Sequence, residues 1–169
     1  NSHGLSGIPT GFYDLDKMTA GLHDSDLVLV AGRPAMGKTA FMLNIARHAA
    51  VRERVPVAIF NLEMSKQQLA TRMLSTESGV ESEKLRNGDL ADSDWTKIAE
   101  GMSVLSGAPI YFDDSTDVSV QSIRAKCRKL KMEKDIKLVF VDYLQLMQGR
   151  TGKSDSRAQE VGDISRSLK

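Results

Sequence analysis

The stretch Leu27-Val-Leu-Val-Ala-Gly-Arg-Pro-Ala-Met-Gly-Lys-Thr-Ala-Phe41 decides the fold class of this chain. Its segment Gly32–Thr39 matches G-x-x-x-x-G-K-[ST], the pattern of a Walker A phosphate-binding loop. The apolar run Leu27–Ala31 precedes the loop, and a helical pattern begins at Lys38, so the order is strand, glycine turn and helix. This context predicts a binding site for a nucleoside triphosphate.

The residue types in the loop suit a polyphosphate. Glycines allow successive backbone N–H groups to curve around phosphates, and the following helix adds a favourable dipole. The Lys38 ammonium is expected to reach the outer phosphates, and the Thr39 hydroxyl is expected to ligate Mg²⁺. We therefore expect nucleotide contacts along the loop and the first helical turn, from Gly32, Arg33, Pro34, Ala35, Met36, Gly37, Lys38, Thr39 and Ala40.

Composition sets broad limits on the class of protein. The 169 residues are 41% hydrophobic and 27% charged, as in an ordinary α/β domain. The 23 basic and 22 acidic residues give a net charge of +1, so bulk charge argues neither for nor against nucleic acid. The single cysteine, Cys127, excludes an internal disulfide and is typical of a cytoplasmic protein. No apolar stretch approaches the roughly 20 residues that span a bilayer.

Apolar runs alternate with helix-length patterns along the chain, which predicts an α/β fold with a mainly parallel sheet flanked by helices. The predicted strands are Leu27–Ala31, Val57–Leu62, Ile110–Phe112 and Leu138–Val141. The predicted helices are Lys38–Ala50, Lys66–Glu77, Asp94–Leu105, Val120–Glu133 and Arg157–Leu168. Ser65 with Gln68 forms a capping-box pattern, and Ser119 is a candidate N-cap.

Acidic residues that end apolar runs are candidates for the hydrolytic chemistry. Leu138–Asp142 has four apolar residues followed by Asp142, which is a Walker B pattern for holding Mg²⁺. Hydrolysis also needs a carboxylate that orients the attacking water. Tyr143 rather than Glu follows Asp142, so this carboxylate must lie elsewhere. The spacing leaves two alternatives open: Glu63, which ends one run, or the pair Asp113 and Asp114, which ends another.

Several motifs in sequence order closely resemble the ATPase domain of DnaB-type replicative DNA helicases, which is RecA-like. The resemblance runs from about Gly7 to Lys169. It rests on Gly7-Ile-Pro-Thr-Gly-Phe12, Leu15-Asp16, Thr19-Ala-Gly-Leu22, Arg33-Pro-Ala-Met-Gly-Lys-Thr39, Leu62-Glu-Met-Ser65, Asp142-Tyr-Leu-Gln-Leu-Met147 and Ile164-Ser-Arg-Ser-Leu-Lys169. The resemblance implies that Glu63 is the catalytic glutamate and Asp142 the Walker B acid. It also implies that Arg72 lies near the nucleotide phosphates, whereas the alternative is a solvent-facing helix arginine.

Two basic segments are candidates for contacts outside the nucleotide site. Arg150, Lys153 and Arg157 follow the Walker B pattern on a glycine-containing segment. The resemblance implies that this loop faces a central channel and grips DNA phosphates, and the alternative is a plain surface loop. The predicted helix Val120–Glu133 pairs one apolar stripe with many lysines and arginines. A solvated face is the simplest interpretation, and a subunit contact or an acidic partner is the alternative.

The resemblance implies an ATP- and Mg²⁺-dependent motor that forms a homohexameric ring, moves along single-stranded DNA and unwinds duplex at the replication fork. Primase and a helicase loader are the implied partners. A recombination or repair ATPase of the RecA-like group, or a truncated nucleotide-binding regulator of helicase rings, are the alternatives. Residues 1–6 are expected to be a linker or a cloning remnant. Residues 7–169 are expected to be a RecA-like ATPase domain that lacks its last strands and its arginine finger, so the ATPase activity of this chain alone should be weak.

Overall fold

A computed structural model describes residues 5–23, 37–61, 64–115 and 119–142. Within them, three strands form one parallel sheet in the order β2-β1-β3. The strands are β1 (Val57–Asn61), β2 (Ile110–Asp113) and β3 (Leu138–Asp142). The order means that the chain crosses over the sheet between strands, as parallel pairing requires. The predicted parallel α/β architecture is confirmed for this part of the chain.

The described helices are α1 (Tyr13–Thr19), α2 (Lys38–Arg47), α3 (Lys66–Ser78), α4 (Ser82–Asn87), α5 (Asp92–Ser106) and α6 (Val120–Lys134). A π-helical turn, His48–Arg52, extends α2. The predicted capping box at α3 is confirmed: Ser65 Oγ accepts from Gln68 N at 3.2 Å, and Ser65 N donates to Gln68 Oε1 at 3.0 Å. Ser119 Oγ likewise accepts from the Ser122 N–H at 3.1 Å, and Ser119 is the N-cap of α6, as predicted.

Strand β1 is buried on both faces, because its alternate residues belong to two separate cores. Val57 and Ile59 pack in a cluster that includes residues of α2 and α3, among them Leu43, Ala46 and Leu69. Ala58 and Phe60 pack on the opposite side with Ile123 of α6. All five residues of β1 are buried, which explains why the strand reads as a continuous apolar run. The domain therefore has helices on both faces of a parallel sheet.

Some predicted boundaries were wrong. Helices α1 and α4 were not predicted, since they have only seven and six residues and no long apolar period. The helix predicted over Lys38–Ala50 is α-helical only to Arg47, because the π-helical turn changes the hydrogen bonding beyond that point: Glu53 N donates to His48 O, five residues back. Helix α5 begins at Asp92, two residues before the predicted start.

The predicted strand Leu27–Ala31 and the predicted helix Arg157–Leu168 lie outside the described residues. In the part of the chain that is described, no helix has both the length and the apolar character needed to cross a membrane.

Candidate functional site

The start of α2 has the backbone geometry of a phosphate site. Gly37 is the N-cap and has φ +78° and ψ 8°, a left-handed conformation that favours glycine. Among the described residues, no atom lies within 4 Å of a Cβ built at Gly37, and the positive φ is what favours glycine there. Lys38 and Thr39 begin the helix, and Ala40 follows them in its first turn. Backbone N–H groups in a first helical turn lack intrahelical acceptors, which suits an anion.

Two strand ends that carry predicted site residues are neighbours in the sheet. Strands β1 and β3 pair in parallel, and their register sets Asn61 opposite Asp142. Asp142 therefore lies at the carboxyl end of a strand, the edge where ligands bind in open parallel sheets. Glu63 follows two residues beyond the end of β1, although it lies outside the described residues.

Asn61 is a buried polar residue beside the candidate site that the sequence analysis did not single out. Its side chain is buried, with 1% of the residue exposed, and its Oδ1 accepts from the Met64 N–H at 2.6 Å. This hydrogen bond spans Leu62 and Glu63 and holds the start of the connection from β1 to α3. The polar residue at the end of an otherwise apolar run was the available signal, since a buried amide usually has a hydrogen-bonding role.

The rival carboxylates, Asp113 at the end of β2 and Asp114 directly after it, take part in structural contacts. Asp113 forms an ion pair with Lys126 at 3.3 Å and accepts from the Ser115 N–H at 2.9 Å. Asp114 Oδ2 accepts from the Lys66 N–H at the start of α3, at 3.0 Å. Strand β2 also lies on the side of β1 away from β3. Both carboxylates thus bind protein groups at a strand that is not adjacent to the Asp142 strand.

The electrostatics of Asp113 agree with an ion-paired, structural carboxylate. Its partial burial, taken alone, raises the pKa of the carboxyl group. Hydrogen bonds from Ser115 and from Lys126, with the nearby ammonium charge, outweigh that effect and hold the Asp113 pKa below its ordinary value of 3.8. A carboxylate that takes a proton from water works better with a raised pKa, so this environment does not favour Asp113 as the base.

The N-terminal segment supports the start of α2 through contacts that spacing alone did not predict. Buried Asp16 accepts from the Thr10 N–H at 2.8 Å and from the Thr10 hydroxyl at 2.7 Å, and its second oxygen accepts from the Gly11 N–H at 3.2 Å. These bonds fold the segment back on α1. The ring of Phe12 then stacks on Phe41 of α2, with centroids 5.1 Å apart. Two of the stretches behind the family resemblance, Gly7–Phe12 and Leu15-Asp16, therefore support the helix that begins at Lys38.

Arg72 lies on the exposed face of α3. Within the described part of the chain, no acidic side chain pairs with its guanidinium. The remaining predicted site residues lie outside the described residues. They are Gly32, Arg33, Pro34, Ala35 and Met36 of the loop, Glu63, and the three basic residues Arg150, Lys153 and Arg157. Of Asp142, the structure describes the backbone alone.

Comparisons with known proteins agree with this fold. A solved ATPase domain matches with a TM-score of 0.89 at 34% identity, over 97% of this chain and 58% of that one. A DnaB-like replicative helicase, solved in a study of its interactions with primase, matches with a TM-score of 0.88 at 34% identity, over 97% and 40%. The fold is therefore that of a RecA-like ATPase domain.

Residues 7–169 match the family of the DnaB-like helicase C-terminal domain, and the chain belongs to that family. The replicative DNA helicase DnaB of Geobacillus stearothermophilus is 52% identical over 165 residues. The replicative DNA helicase DnaC of Bacillus subtilis is 50% identical over 165 residues. Each alignment covers 98% of this chain and 36% of the relative, so the chain spans about a third of these proteins.

Proposed function

We propose that this chain is the ATP-driven motor part of a hexameric replicative DNA helicase that moves along single-stranded DNA and separates duplex DNA at the replication fork. The observation that carries the proposal is the family match over residues 7–169. The register that sets Asp142 beside the strand leading to Glu63 supports it. We place the protein in the cytoplasm.

The described residues at the start of α2 fit ATP and Mg²⁺. Gly37 has the required left-handed conformation, and Lys38 and Thr39 occupy the first helical positions. Lys38 would hold the outer phosphates, and Thr39 and Asp142 would hold the metal. Bound Mg²⁺ supplies positive charge that stabilises the transferring phosphoryl group. The loop residues from Gly32 to Met36 would wrap the phosphates with their N–H groups.

Hydrolysis further requires an oriented water molecule, and we assign that role to Glu63. It follows β1, the strand next to β3, whereas Asp113 and Asp114 are held by Lys126 and by the backbone of Lys66. Arg72 would contact the nucleotide phosphates from α3. Its exposed guanidinium, unpaired among the described residues, is compatible with such a ligand.

The DNA contacts are assigned to the segment after Asp142. Arg150, Lys153 and Arg157 would bind phosphates of one strand within the ring, which gives affinity without reading sequence. Primase and a helicase loader are the proposed protein partners. The solved DnaB-like helicase described with its interactions with primase supports the first of these.

The test is ATP-dependent unwinding of a forked DNA duplex by the protein at its natural length. A Lys38→Ala variant removes the proposed phosphate ligand, and a Lys97→Ala variant removes an exposed lysine of α5 as the matched control. We expect strand displacement in the wild type and in Lys97→Ala, and none in Lys38→Ala. ATP hydrolysis should fall together with displacement.

The other outcomes would contradict the proposal in recognisable ways. DNA-stimulated hydrolysis without strand displacement would instead indicate a recombination or repair ATPase. Nucleotide binding with neither hydrolysis nor displacement would indicate a regulator of helicase rings. Unwinding that survives Lys38→Ala would overturn the assignment of the phosphate site.

A further inference from the structure

The backbone that follows Glu63 is held by side chains from three places. The Met64 N–H donates to Asn61 Oδ1 of β1 at 2.6 Å. The capping box holds the start of α3 from within that helix. The Lys66 N–H, at the first position of α3, donates to Asp114 Oδ2 at 3.0 Å. N–H groups in a first helical turn have no intrahelical acceptor, so side chains complete the hydrogen bonds where β1 is joined to α3.

Asp114 differs from the other two acceptors in its distance along the chain. Asn61 is three residues from Met64, and the capping box also joins residues three apart, whereas Asp114 is 48 residues from Lys66. The two local contacts fix the shape of the connection between β1 and α3. The bond from Asp114 fixes the position of that connection against a second strand, because Asp114 directly follows β2.

The turn that carries Asp114 is itself held in place. Its neighbour Asp113 forms an ion pair with Lys126 of α6 at 3.3 Å and accepts from the Ser115 N–H at 2.9 Å. The Lys126 ammonium also donates to the Ser115 hydroxyl. Both neighbours of Asp114 are thus attached to α6 and to each other, so its carboxylate is a well-fixed acceptor for the start of α3.

This bond matters more for position than for stability. It is exposed, so water can satisfy the Lys66 N–H when Asp114 is removed, and little folding free energy is lost. The rate of a reaction is more sensitive, because a displacement of about 1 Å at a reacting group can cost about 10² in rate. Glu63 precedes Lys66 by only three residues, so a shift of the helix start displaces it too.

We propose that Asp114 is a positioning residue for ATP hydrolysis, which holds the start of α3 so that Glu63 can orient the attacking water. The inference rests on the proposed function, since that is where Glu63 receives its role. Asp114 takes no part in proton transfer, because the bond to the Lys66 N–H requires only an acceptor oxygen. The side chain of Asn supplies such an oxygen as well, so the charge and the acceptor can be separated.

The experiment measures kcat and KM for ATP hydrolysis in the presence of single-stranded DNA, with the protein at its natural length. Asp114→Ala should lower kcat about tenfold and change KM for ATP less than about twofold, since the phosphate ligands at α2 are untouched. Asp114→Asn keeps an acceptor, although a neutral one bonds more weakly, and kcat should stay within about threefold of the wild type. Asp92→Ala removes an exposed acid from the first turn of α5 and is the matched control, with kcat unchanged.

A change at the donor tests the same bond from its other side. Lys66 is the first residue of α3, a position that favours proline because an N–H group is not needed there within the helix. Ser65 has φ −69° and ψ 157°, which suit a residue before proline. Lys66→Pro should therefore lower kcat as much as Asp114→Ala does, and the two changes together should lower it no further. Lys66→Ala keeps the N–H group and is the matched control.

Single-turnover hydrolysis in a Glu63→Ala background shows whether the effect passes through Glu63. Adding Asp114→Ala should leave the residual rate of Glu63→Ala unchanged, because the carboxylate to be positioned is already absent. Urea unfolding of Asp114→Ala should show that the protein remains fully folded under the conditions of the assay.

Several results would overturn the inference while leaving the proposed function intact. They are an unchanged kcat in Asp114→Ala, a further loss of rate in the Glu63→Ala background, and a loss that follows the unfolded fraction. If Asp114→Asn is as slow as Asp114→Ala, the carboxylate itself acts on the water and Asp114 is not a positioning residue. A wild-type protein that neither hydrolyses ATP nor unwinds DNA would overturn the proposed function, and this inference with it.

Discussion

Arg47 of α2 and Glu77 of α3 form an ion pair in which Nη1 and Oε2 are 2.7 Å apart. Both side chains are largely buried, with 23% and 9% of their surfaces exposed. Helix α2 begins at the candidate phosphate site, and α3 begins three residues after Glu63. The pair therefore connects the two helices that support the two parts of the proposed ATPase site.

Replacing Glu77 with Ala should destabilise the fold by about 1–3 kcal/mol, because the Arg47 guanidinium would remain partly buried without its carboxylate. Arg47 Nε is already buried with no hydrogen-bond partner among the described residues. Without Glu77, the guanidinium would therefore have one more unsatisfied hydrogen-bond donor. Urea unfolding gives the change in free energy. Glu100→Ala, at an exposed position on α5, is the control and should change stability by less than about 0.5 kcal/mol. Equal effects of the two variants would contradict a stabilising role for the pair.

The fold was predictable wherever burial leaves a clear pattern in the sequence. Strand β1 is buried on both faces, so it appears as a continuous apolar run and its assignment was confirmed. Helix α4 has no buried residue, and without an apolar period its six residues gave no signal. Ser65 was predicted correctly because a capping box depends on neighbouring residues alone.

The site was less predictable, since it depends on strand order and on contacts between distant residues. Spacing left Glu63, Asp113 and Asp114 all as candidates, because each follows an apolar run. The order β2-β1-β3 separates them by setting β1, and not β2, beside the strand of Asp142. The ion pair of Asp113 with Lys126 joins residues 13 positions apart and could be found only in three dimensions.

Gly21 and Gly79 both have a positive φ but different surroundings, so a pair of alanine variants should separate strain from crowding. Gly79 has φ +76°, and no atom of the part of the chain that the structure describes lies within 4 Å of an added Cβ. Its Ala variant should lose about 1 kcal/mol from backbone strain. Gly21 has φ +91°, and an added Cβ would lie 2.7 Å from the carbonyl carbon of Gly7. Its Ala variant should lose roughly 2–4 kcal/mol from strain and overlap together. Thermal or urea unfolding tests this, and similar losses would contradict the crowding at Gly21.

The contribution of Asp113 to stability should depend on pH. Its folded pKa lies below 3.8, so the charged carboxylate stabilises the fold above that pH, and the stabilisation is lost as the pH falls through the folded pKa. Asp113→Asn should therefore be less stable than the wild type near pH 6, and the difference should shrink toward zero as the pH falls from 3.8 through the folded pKa of Asp113. Urea unfolding across this range measures it, with Asp89→Asn, at an exposed position after α4, as the control. A difference that stays constant with pH would contradict the ion-paired role.

Asn61 should control the rate of ATP hydrolysis, because its bond to the Met64 N–H spans Glu63, the proposed water-orienting residue. Asn61→Leu removes the acceptor, and a displacement of about 1 Å at the carboxylate can cost about 10² in rate. We expect kcat to fall at least about tenfold, with KM for ATP changed less than about threefold, since the phosphate ligands at α2 are untouched. Asn61→Asp keeps an acceptor oxygen and should retain more activity, while Asn87→Leu, at the exposed end of α4, is the control. A loss of stability in Asn61→Leu with kcat unchanged would show that Asn61 supports the fold and does not position Glu63.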